Sequence, residues 1–473
     1  MAKAIELAVV GHTNAGKTSL LRTLTRRNDF GEVSDRPGTT RDVNAIPLNV
    51  DGVAVVRFLD TPGLEDAPAL LEHLQAMDAC YPVAQKIDAF LAGPRALGDF
   101  EQEAKVLRCM KNVDAALLVI DTRETPLPKF SDEIEILKWC AKPILPVLNY
   151  VGNSDSQEPA WLAMFATHGL HARVRFQTVA PMHDAEKNLY SDLGGLLPER
   201  RGQLQDLTAY LARERQERHT SGLRLVGDLI LSLASYRETL DAEVVSEEAA
   251  RAKRIRLFQA EVAERSRQGF ASMLELHGFA LDSAETAMLP ELAERWNSDL
   301  FNPEMLKQAG KRLGIGSMVG MAFGLAADVA VAGVSLGAGV TTGAAIGGFL
   351  SQGRVGKKLL NKLRGKLELS LNDSALLLLA GQHLSMLMAL EKRGHADQFL
   401  LRAPSPIIFS EKEARPLLAA VKSARAHPEW ASAVELTAGQ RKQRDDQSDS
   451  LCQFFLQNLA ANPVHAARND RSR

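Results

Sequence analysis

Short apolar runs alternate with amphipathic segments over the first two hundred residues. Four runs have the composition of buried β-strands, and they cover residues 5–10, 53–59, 116–121 and 144–149. Helical patterns cover residues 18–24, 68–79 and 101–111. This alternation of strands and helices predicts an α/β domain with a mostly parallel sheet over residues 1–200.

From about residue 202 the apolar spacing becomes helical. Leucines recur at helical intervals in 204–211, and the charged, alanine-rich run 242–268 carries an apolar stripe that continues to Leu274. Such a stripe is typical of a helix-bundle core. We therefore expect helical domains over residues 201–310 and 359–463, with one long helix or two in 359–393, followed by a disordered tail over 464–473.

A glycine-rich apolar run interrupts the helical part at residues 314–348. Small residues recur there at every fourth position, and Asp328 is its single charged residue. This spacing predicts two closely packed helices, a glycine-zipper hairpin over residues 311–358. Either the hairpin is buried in the helical domain, or it enters a membrane from the cytoplasmic face. Its arms are shorter than the roughly 20 residues that span a bilayer, which favours burial.

Composition and charge limit the partners and the location. The 473 residues carry a formal net charge of −2, so we expect no nucleic-acid partner. The four cysteines are far apart, which is typical of a reduced cytoplasmic protein, and no signal peptide is apparent.

A G-x-x-G element at residues 353–356 resembles the loop of an RNA-binding KH domain. No period-two strands flank it in our interpretation, so we read it as a basic exit from the hairpin.

The first candidate site lies between the first strand and the first helix. Residues 11–18 fit the phosphate-binding pattern G-x-x-x-x-G-K-[ST]. The backbone N–H groups of such a loop cradle phosphate at a helix N-terminus. We expect Lys17 to reach the terminal phosphates and the Thr18 hydroxyl to ligate Mg²⁺. The predicted nucleotide-binding residues of this loop are Asn14, Ala15, Gly16, Lys17, Thr18 and Ser19.

Two further motifs follow in the order that nucleotide switches require. Pro37-Gly38-Thr39-Thr40-Arg41-Asp42 offers the hydroxyl of Thr40 as a further Mg²⁺ ligand. Asp60-Thr61-Pro62-Gly63 ends an apolar strand, where Asp60 can hold the hydration shell of the metal. The backbone N–H of Gly63 can then sense the γ-phosphate.

These three motifs resemble those of the bacterial regulatory GTPases of the TrmE/Era group, over about residues 1–180. That group carries N-A-G-K-[ST], G-T-T-R-D and D-T-[PA]-G in this order. The resemblance implies a Ras-like α/β fold, binding of GTP and GDP, and Mg²⁺-dependent GTP hydrolysis with Lys17 and Thr40 as catalytic residues. In the TrmE type an asparagine at the position of Asn14 ligates K⁺. Here Asn14 either holds K⁺ or merely caps the loop.

The chain departs from the family pattern where guanine is recognised. The family's N-K-x-D is replaced by Asn149-Tyr150-Val151-Gly152, so Asn149 remains as a base-site residue while the aspartate is lost. Losing the contacts of that carboxylate relaxes the preference for guanine over adenine. Asp155 is an alternative carboxylate nearby, and Thr178-Val179-Ala180 takes the place of the usual S-A-K loop.

The region after Gly63 also departs from the family pattern. Leu64 stands where Ras-type enzymes carry the water-orienting glutamine. Glu65 or Asp66 can position water instead, or both are solvated loop charges.

About fifty residues separate Gly63 from the strand near Asp114. This segment is either a passive insertion or the surface where a partner, or a second copy docking through the GTPase domain, reads the nucleotide state.

The sequence therefore favours a regulatory GTPase with a low intrinsic rate, whose nucleotide state is read out by a helical effector domain. Beyond residue 200 the chain resembles bacterial GTPases whose helical C-terminal domain has no assigned role. A membrane-associated GTPase that uses residues 314–348, peripheral at the inner face of the membrane, is the alternative. A GTPase of ribosome or RNA maturation is a third interpretation, which the charge and the missing KH sheet disfavour.

Overall fold

The computed structural model describes the chain in ranges, and these are residues 3–26, 43–77, 82–178, 184–241, 244, 247–279, 334–338, 367–392, 404–432 and 436–461. The chain forms two compact units. Unit 1 comprises residues 1–215 with 392–399, and unit 2 comprises 216–391 with 400–473. Thr40, the tail 464–473 and most of the predicted hairpin 311–358 lie outside the described residues.

Unit 1 is built on a six-stranded sheet of order β2-β3-β1-β4-β5-β6. Its strands are β1 (Ile5–Val10), β2 (Asn44–Val50), β3 (Val53–Asp60), β4 (Ala115–Asp121), β5 (Ile144–Asn149) and β6 (Val174–Arg175). The β2–β3 pair is antiparallel and the other neighbours are parallel. All four predicted strands are confirmed, as is the Ras-like fold with a mixed, mostly parallel sheet.

Helices cover both faces of this sheet, as two separate apolar clusters show. The helices are α1 (Lys17–Thr25), α2 (Ala67–Ala76), α3 (Val83–Ala92), α4 (Glu101–Asn112), α5 (Pro128–Trp139), α6 (Glu158–Thr167) and α7 (Ala185–Leu196), with 3-10 turns at Pro94–Leu97 and Pro198–Arg200. Parallel strands need such cover on both sides because their side chains alternate between two apolar faces. The carboxyl ends of β1, β3, β4 and β5 therefore meet at one edge, where the predicted site residues lie.

The segment between Gly63 and β4 folds into α2, α3 and α4. Leu70, Phe90 and Leu107, one from each helix, are buried in the same cluster that covers one face of the sheet. The helix predicted over residues 101–111 is confirmed, the one predicted over 68–79 is confirmed as far as Ala76, and α3 adds a third. The segment is thus an integral layer of unit 1.

The long helix α8 (Arg201–Ser235) contains the boundary between the units. Leu204, Leu207 and Leu211 belong to the core of unit 1. Further along the same helix, Val226 and Ile230 belong to the core of unit 2. The helical spacing predicted from residue 202 onward is confirmed.

Unit 2 is mainly helical. Among its described residues the further helices are α9 (Glu248–Leu276), α10 (Asp373–Lys392), α11 (Glu411–Arg425) and α12 (Ala438–Ala461), with a 3-10 turn at Pro428–Ala431. The predicted stripe of α9 is buried, with Phe258, Phe270 and Met273 each about 1% exposed. This confirms the prediction of a helical domain after the nucleotide domain.

Unit 2 also holds a small sheet that the helical interpretation did not include. Strands β7 (Arg237–Leu240), β8 (Val334–Ala338) and β9 (Leu367–Leu371) form a three-stranded antiparallel sheet in the order β7-β9-β8. The prediction of one long helix or two over residues 359–393 is therefore wrong at β9, whose sequence Leu-Glu-Leu-Ser-Leu alternates with period two. The five residues of β8 are likewise extended, although they fall within the predicted helical hairpin.

Among the described residues, α10 is the helix whose length and apolarity match a membrane span, with a mean hydropathy of 1.3 over its best window. That window is 78% buried within the protein. Its leucines line the unit 2 core together with residues of α9 and α11. This pattern is typical of a central core helix.

Candidate nucleotide-binding site

The loop between β1 and α1 has a backbone that only glycine accommodates at two positions. Gly11 has φ +133°, and a Cβ there would lie 2.4 Å from the carbonyl oxygen of Val119. Gly16 has φ +93°, and a Cβ there would lie 2.5 Å from Nδ2 of Asn149. The two glycines of the motif thus let the loop pack directly on the ends of β4 and β5.

Lys17 lies at the centre of this loop with 8% of its surface exposed. Its Nζ donates to the carbonyl oxygens of Gly11 at 2.8 Å and His12 at 3.0 Å. Burial lowers the pKa of Lys17, while the charges of Asp60 and Glu133 oppose that shift. A buried ammonium held by carbonyl oxygens is well placed to contact a phosphate.

Thr18 and Asp60, two of the predicted Mg²⁺ ligands, are in contact. Oγ1 of Thr18 donates to Oδ2 of Asp60 at 2.9 Å. Oδ1 of Asp60 is buried and has no hydrogen-bond partner among the described residues. Burial raises the pKa of Asp60, while the Thr18 hydrogen bond and the Lys17 charge lower it. A hydroxyl beside an unsatisfied carboxylate oxygen is a donor set that suits a hard divalent cation.

Gly63 lies against the phosphate-binding loop. A Cβ on Gly63 would lie 2.7 Å from Oγ1 of Thr13 and 2.9 Å from its backbone nitrogen. The neighbouring Thr61 donates from Oγ1 to the carbonyl oxygen of Val9 at 2.7 Å, which fixes the chain as it leaves β3. The structure therefore places Gly63 at the loop, as the motif predicts.

Asn149 joins three loops. Its Nδ2 donates to the carbonyl oxygen of Ala15 at 3.2 Å. Its Oδ1 accepts from the backbone nitrogen of Tyr150 at 3.0 Å and from both the backbone and the hydroxyl of Thr178 at 3.2 Å. Asn149 is fully buried, so these bonds hold the loops after β1, β5 and β6 in one arrangement.

The candidate water-positioning residues differ in their surroundings. Asp66 is the N-cap of α2, and its Oδ1 accepts from the backbone nitrogen of Ala69 at 3.2 Å. Glu65 is exposed. The backbone nitrogens of Glu65 and Asp66 both donate to Oε1 of Glu103, at 3.1 and 3.0 Å. Glu103, which sequence reasoning did not single out, thus holds the loop that follows Gly63.

Sequence reasoning also did not single out two titratable groups near Lys17, one of them within the phosphate-binding loop. Burial raises the pKa of Glu133 to about 7, against the charges of Lys17 and Lys129. Burial, with the charges of Lys129 and Lys17, lowers the pKa of His12 to about 4. Glu133 is a carboxylate among the apolar, buried positions of α5, and that pattern is the sequence signal that could have identified it. These groups set the electrostatic environment of Lys17.

Four predicted site residues remain: Asn14, Ala15, Ser19 and Thr40. Asn14 has φ +66°, a left-handed conformation that asparagine tolerates, and its role toward K⁺ stays a prediction. Ala15 is buried and contributes the carbonyl that Asn149 binds. Ser19 lies in the first turn of α1. The predicted role of Thr40 stays a prediction because that residue lies outside the described ranges.

Two family models match the chain. The model described as "50S ribosome-binding GTPase" matches residues 6–150. The model described as "Domain of unknown function (DUF3482)" matches residues 163–453, which is more than half of the chain. The first match covers the sheet of unit 1 up to β5, and the second begins within α6 of unit 1 and continues into α12 of unit 2.

Curated relatives of the first region are tRNA modification GTPases named MnmE. The protein from Mesorhizobium japonicum is 35% identical over 117 residues, which are 24% of this chain and 26% of the relative. The protein from Alkaliphilus oremlandii is 28% identical over 144 residues, 29% of this chain and 30% of the relative. The chain thus spans about a quarter to a third of the length of these relatives, and the match supports a GTP-hydrolysing domain.

Similar solved structures include two of Era. Aquifex aeolicus Era bound to GDP and AlF4⁻ is 23% identical, with a TM-score of 0.28 over 37% of this chain and 52% of that chain. Era in complex with MgGDPNP and a segment of 16S ribosomal RNA is 22% identical, with a TM-score of 0.28 over 38% of this chain and 52% of that chain.

Proposed function

Because the chain belongs to the family defined by the domain of unknown function DUF3482, and carries a TrmE/Era-like P-loop GTPase domain ahead of that region, we propose that it is a regulatory GTPase. In this proposal the N-terminal domain binds and slowly hydrolyses GTP with Mg²⁺. The DUF3482 region reads out the nucleotide state.

The contact between Thr18 and Asp60 beside Lys17 is the observation that carries the proposal. A buried carboxylate oxygen without a partner is costly, and a hydrated cation would satisfy it. Thr18 and Asp60 are the residues that would hold Mg²⁺, which supplies neutralisation of phosphate charge when bound. Lys17 exchanges its carbonyl partners for phosphate oxygens in this proposal, so that its positive charge is stabilised by the ligand.

Hydrolysis also requires a group that orients water. We assign this role to Glu65, because both carboxylates are exposed but that of Asp66 caps α2. Leu64 is buried and offers no polar group for it. A single exposed carboxylate on a loop is a weak orienting device, which accords with a low intrinsic rate that rises on dimerisation or partner binding.

The experiment that tests this proposal is binding of a fluorescent GTP analogue during a Mg²⁺ titration. We expect Mg²⁺ to tighten binding to the wild type, and we expect Thr18→Ala to abolish that dependence. Thr25→Ala is the matched control, since Oγ1 of Thr25 donates within α1 to the carbonyl of Leu21. Binding that is equally tight with and without Mg²⁺ in the wild type would contradict the proposal.

Membrane association through residues 314–348 remains the alternative, and it rests on the apolar, glycine-rich sequence of that run. Carbonate-resistant sedimentation with membranes, lost when residues 314–348 are deleted, would support it. A full chain that stays in the supernatant without detergent would exclude it and favour a cytoplasmic location. The expectation of no nucleic-acid partner is tested by RNA binding at low salt, where phosphate contacts are strongest.

A further inference from the structure

The position of the nucleobase follows from the order of the strands. β5 and β6 are parallel neighbours, with Val147 opposite Val174, so the loops after them lie side by side. Asn149 connects both loops to the phosphate-binding loop. A nucleoside whose phosphates lie on that loop therefore has its base between the loop that begins at Tyr150 and the loop that contains Gln177.

The side-chain amide of Gln177 lies beside Gly152, the position at which the family carries its aspartate. A Cβ placed on Gly152 would lie 3.0 Å from Oε1 and 3.6 Å from Nε2 of Gln177. The loss of the carboxylate at residue 152 is thus accompanied by an amide brought in from the neighbouring loop. Gln177 is partly exposed, so the amide can be reached from solvent.

Tyr150 has three features that point to a binding role. It is an aromatic residue with φ +60°, a strained backbone conformation for a bulky side chain. Its hydroxyl would lie 3.7 Å from a Cβ on Gly16, so the ring extends beside the phosphate-binding loop. The guanidinium of Arg123 lies 3.8 Å from the ring centroid and is held by Asp121 at 2.6 Å. Tyr150 is therefore a fixed aromatic surface, supported by a cation on one face.

On the premise of the proposed nucleotide binding, we propose that Gln177 contacts the edge of the purine base and that Tyr150 provides the surface on which the base stacks. The chain then accepts adenine as well as guanine nucleotides. It is a purine nucleotide switch of relaxed base preference, in contrast to a strict guanine switch.

The chemistry of the amide explains the relaxed preference. A carboxylate only accepts hydrogen bonds, which suits the N1–H and N2–H donors of guanine and leaves the N1 acceptor of adenine unpaired. An amide offers one acceptor and one donor group. Rotated one way, Oε1 accepts from guanine. Rotated the other way, Nε2 donates to N1 of adenine while Oε1 accepts from its amino group.

The test measures the affinities of the full chain for fluorescent GDP and ADP with Mg²⁺. We expect the two wild-type affinities to agree within about tenfold. Gln177→Glu, which makes the group an acceptor only, should raise the preference for GDP over ADP by about tenfold or more. Gln205→Glu is the matched control, because it makes the same change at an exposed position of α8.

A second variant rebuilds the family arrangement. Gly152→Asp combined with Gln177→Ala removes the amide and restores the carboxylate, and the φ of Gly152 is not positive, so aspartate fits its backbone. This variant should also favour GDP. Tyr150→Leu should weaken the binding of GDP and of ADP by a similar factor and leave the ratio of the two affinities unchanged, because either base can stack on the ring.

The outcomes separate the two proposals. A wild type that prefers GDP by more than about a hundredfold would overturn the role of Gln177, as would Gln177 variants whose ratio stays at the wild-type value. A wild type that binds neither nucleotide overturns the proposed function itself, and the base preference with it.

Discussion

The carboxylate of Glu103 accepts a hydrogen bond from the backbone nitrogen of Glu65 at 3.1 Å, across 38 residues of sequence. Glu103 belongs to α4, a helix of the segment inserted between Gly63 and β4. The loop that would respond to the γ-phosphate is therefore fixed to that insertion. Any partner that shifts α4 would shift this loop too.

Removing this tether should loosen the loop. We expect Glu103→Ala to lower the free energy of unfolding by about 1–3 kcal/mol, because two backbone N–H groups lose their acceptor. We also expect GTP hydrolysis to fall by about tenfold, since Glu65 is no longer held in place. Phosphate release and urea unfolding measure the two effects. Glu101→Gln, exposed on the same helix, is the control, and an unchanged hydrolysis rate in Glu103→Ala would contradict the tether's role.

Glu65 and Asp66 should behave differently when substituted. Glu65→Gln should lower the hydrolysis rate without changing GDP affinity or stability, because its side chain acts only on water. Asp66→Ala should instead lower the free energy of unfolding by about 1 kcal/mol through loss of the α2 cap. Single-turnover hydrolysis and thermal unfolding distinguish the two. A larger loss of hydrolysis in Asp66→Ala than in Glu65→Gln would reverse the assignment.

The proposed K⁺ site predicts a cation dependence. GTP hydrolysis should be faster in K⁺ than in Na⁺ at equal ionic strength, and Asn14→Ala should remove the difference while retaining GDP binding. Phosphate release in the two salts measures it. If Asn14 only caps the loop, the wild-type rates in K⁺ and Na⁺ will be equal.

His383 predicts how the stability of unit 2 depends on pH. It is fully buried, its ring stacks on Phe270 at 3.8 Å, and Nδ1 lies 2.9 Å from the carbonyl oxygen of Leu379. Burial lowers its pKa to about 4, so the folded state binds the proton less readily than the unfolded chain. The neutral His383 ring therefore contributes fully to the free energy of unfolding above pH 6.5, which is the ordinary pKa of histidine. This contribution is lost as the pH falls toward 4.

Urea unfolding followed by circular dichroism between pH 7 and pH 4 checks this dependence. The expected loss is of order 3 kcal/mol. His383→Gln should reduce the slope of stability against pH, and the buried His277, whose pKa burial also lowers, should account for part of the remainder. An unchanged slope in His383→Gln would show that another group dominates the pH dependence.

Features encoded within one short segment could be predicted from the sequence. The strands of unit 1 are continuous apolar runs, and the phosphate-binding loop depends on Gly11, Gly16, Lys17 and Thr18, all within eight residues. Their geometry follows from local steric requirements that glycine meets. The Thr18 and Asp60 contact was also predictable, because parallel strands end at the same edge of a sheet.

Features that depend on contacts distant in sequence could not be predicted. Glu103 and Gln177 carry no local signal, since each is a polar residue whose importance lies in a loop folded beside it. β9 pairs with β7 across about 130 residues, as the register of Arg237 with Ser370 shows, and its period-two pattern covers only five residues beside a leucine-rich stretch that favours helix. Tertiary pairing overrides local preference in such short strands.

The most direct measurement of the central claim is phosphate release from GTP by the full chain with Mg²⁺, compared between the wild type and Lys17→Ala. We expect slow hydrolysis by the wild type and a loss of about a hundredfold or more in Lys17→Ala, because the phosphate charge loses its buried ammonium. Lys138→Ala, a partly exposed lysine of α5, should hydrolyse GTP at the wild-type rate. Undiminished hydrolysis in Lys17→Ala would show that the phosphate-binding loop is not where GTP is hydrolysed.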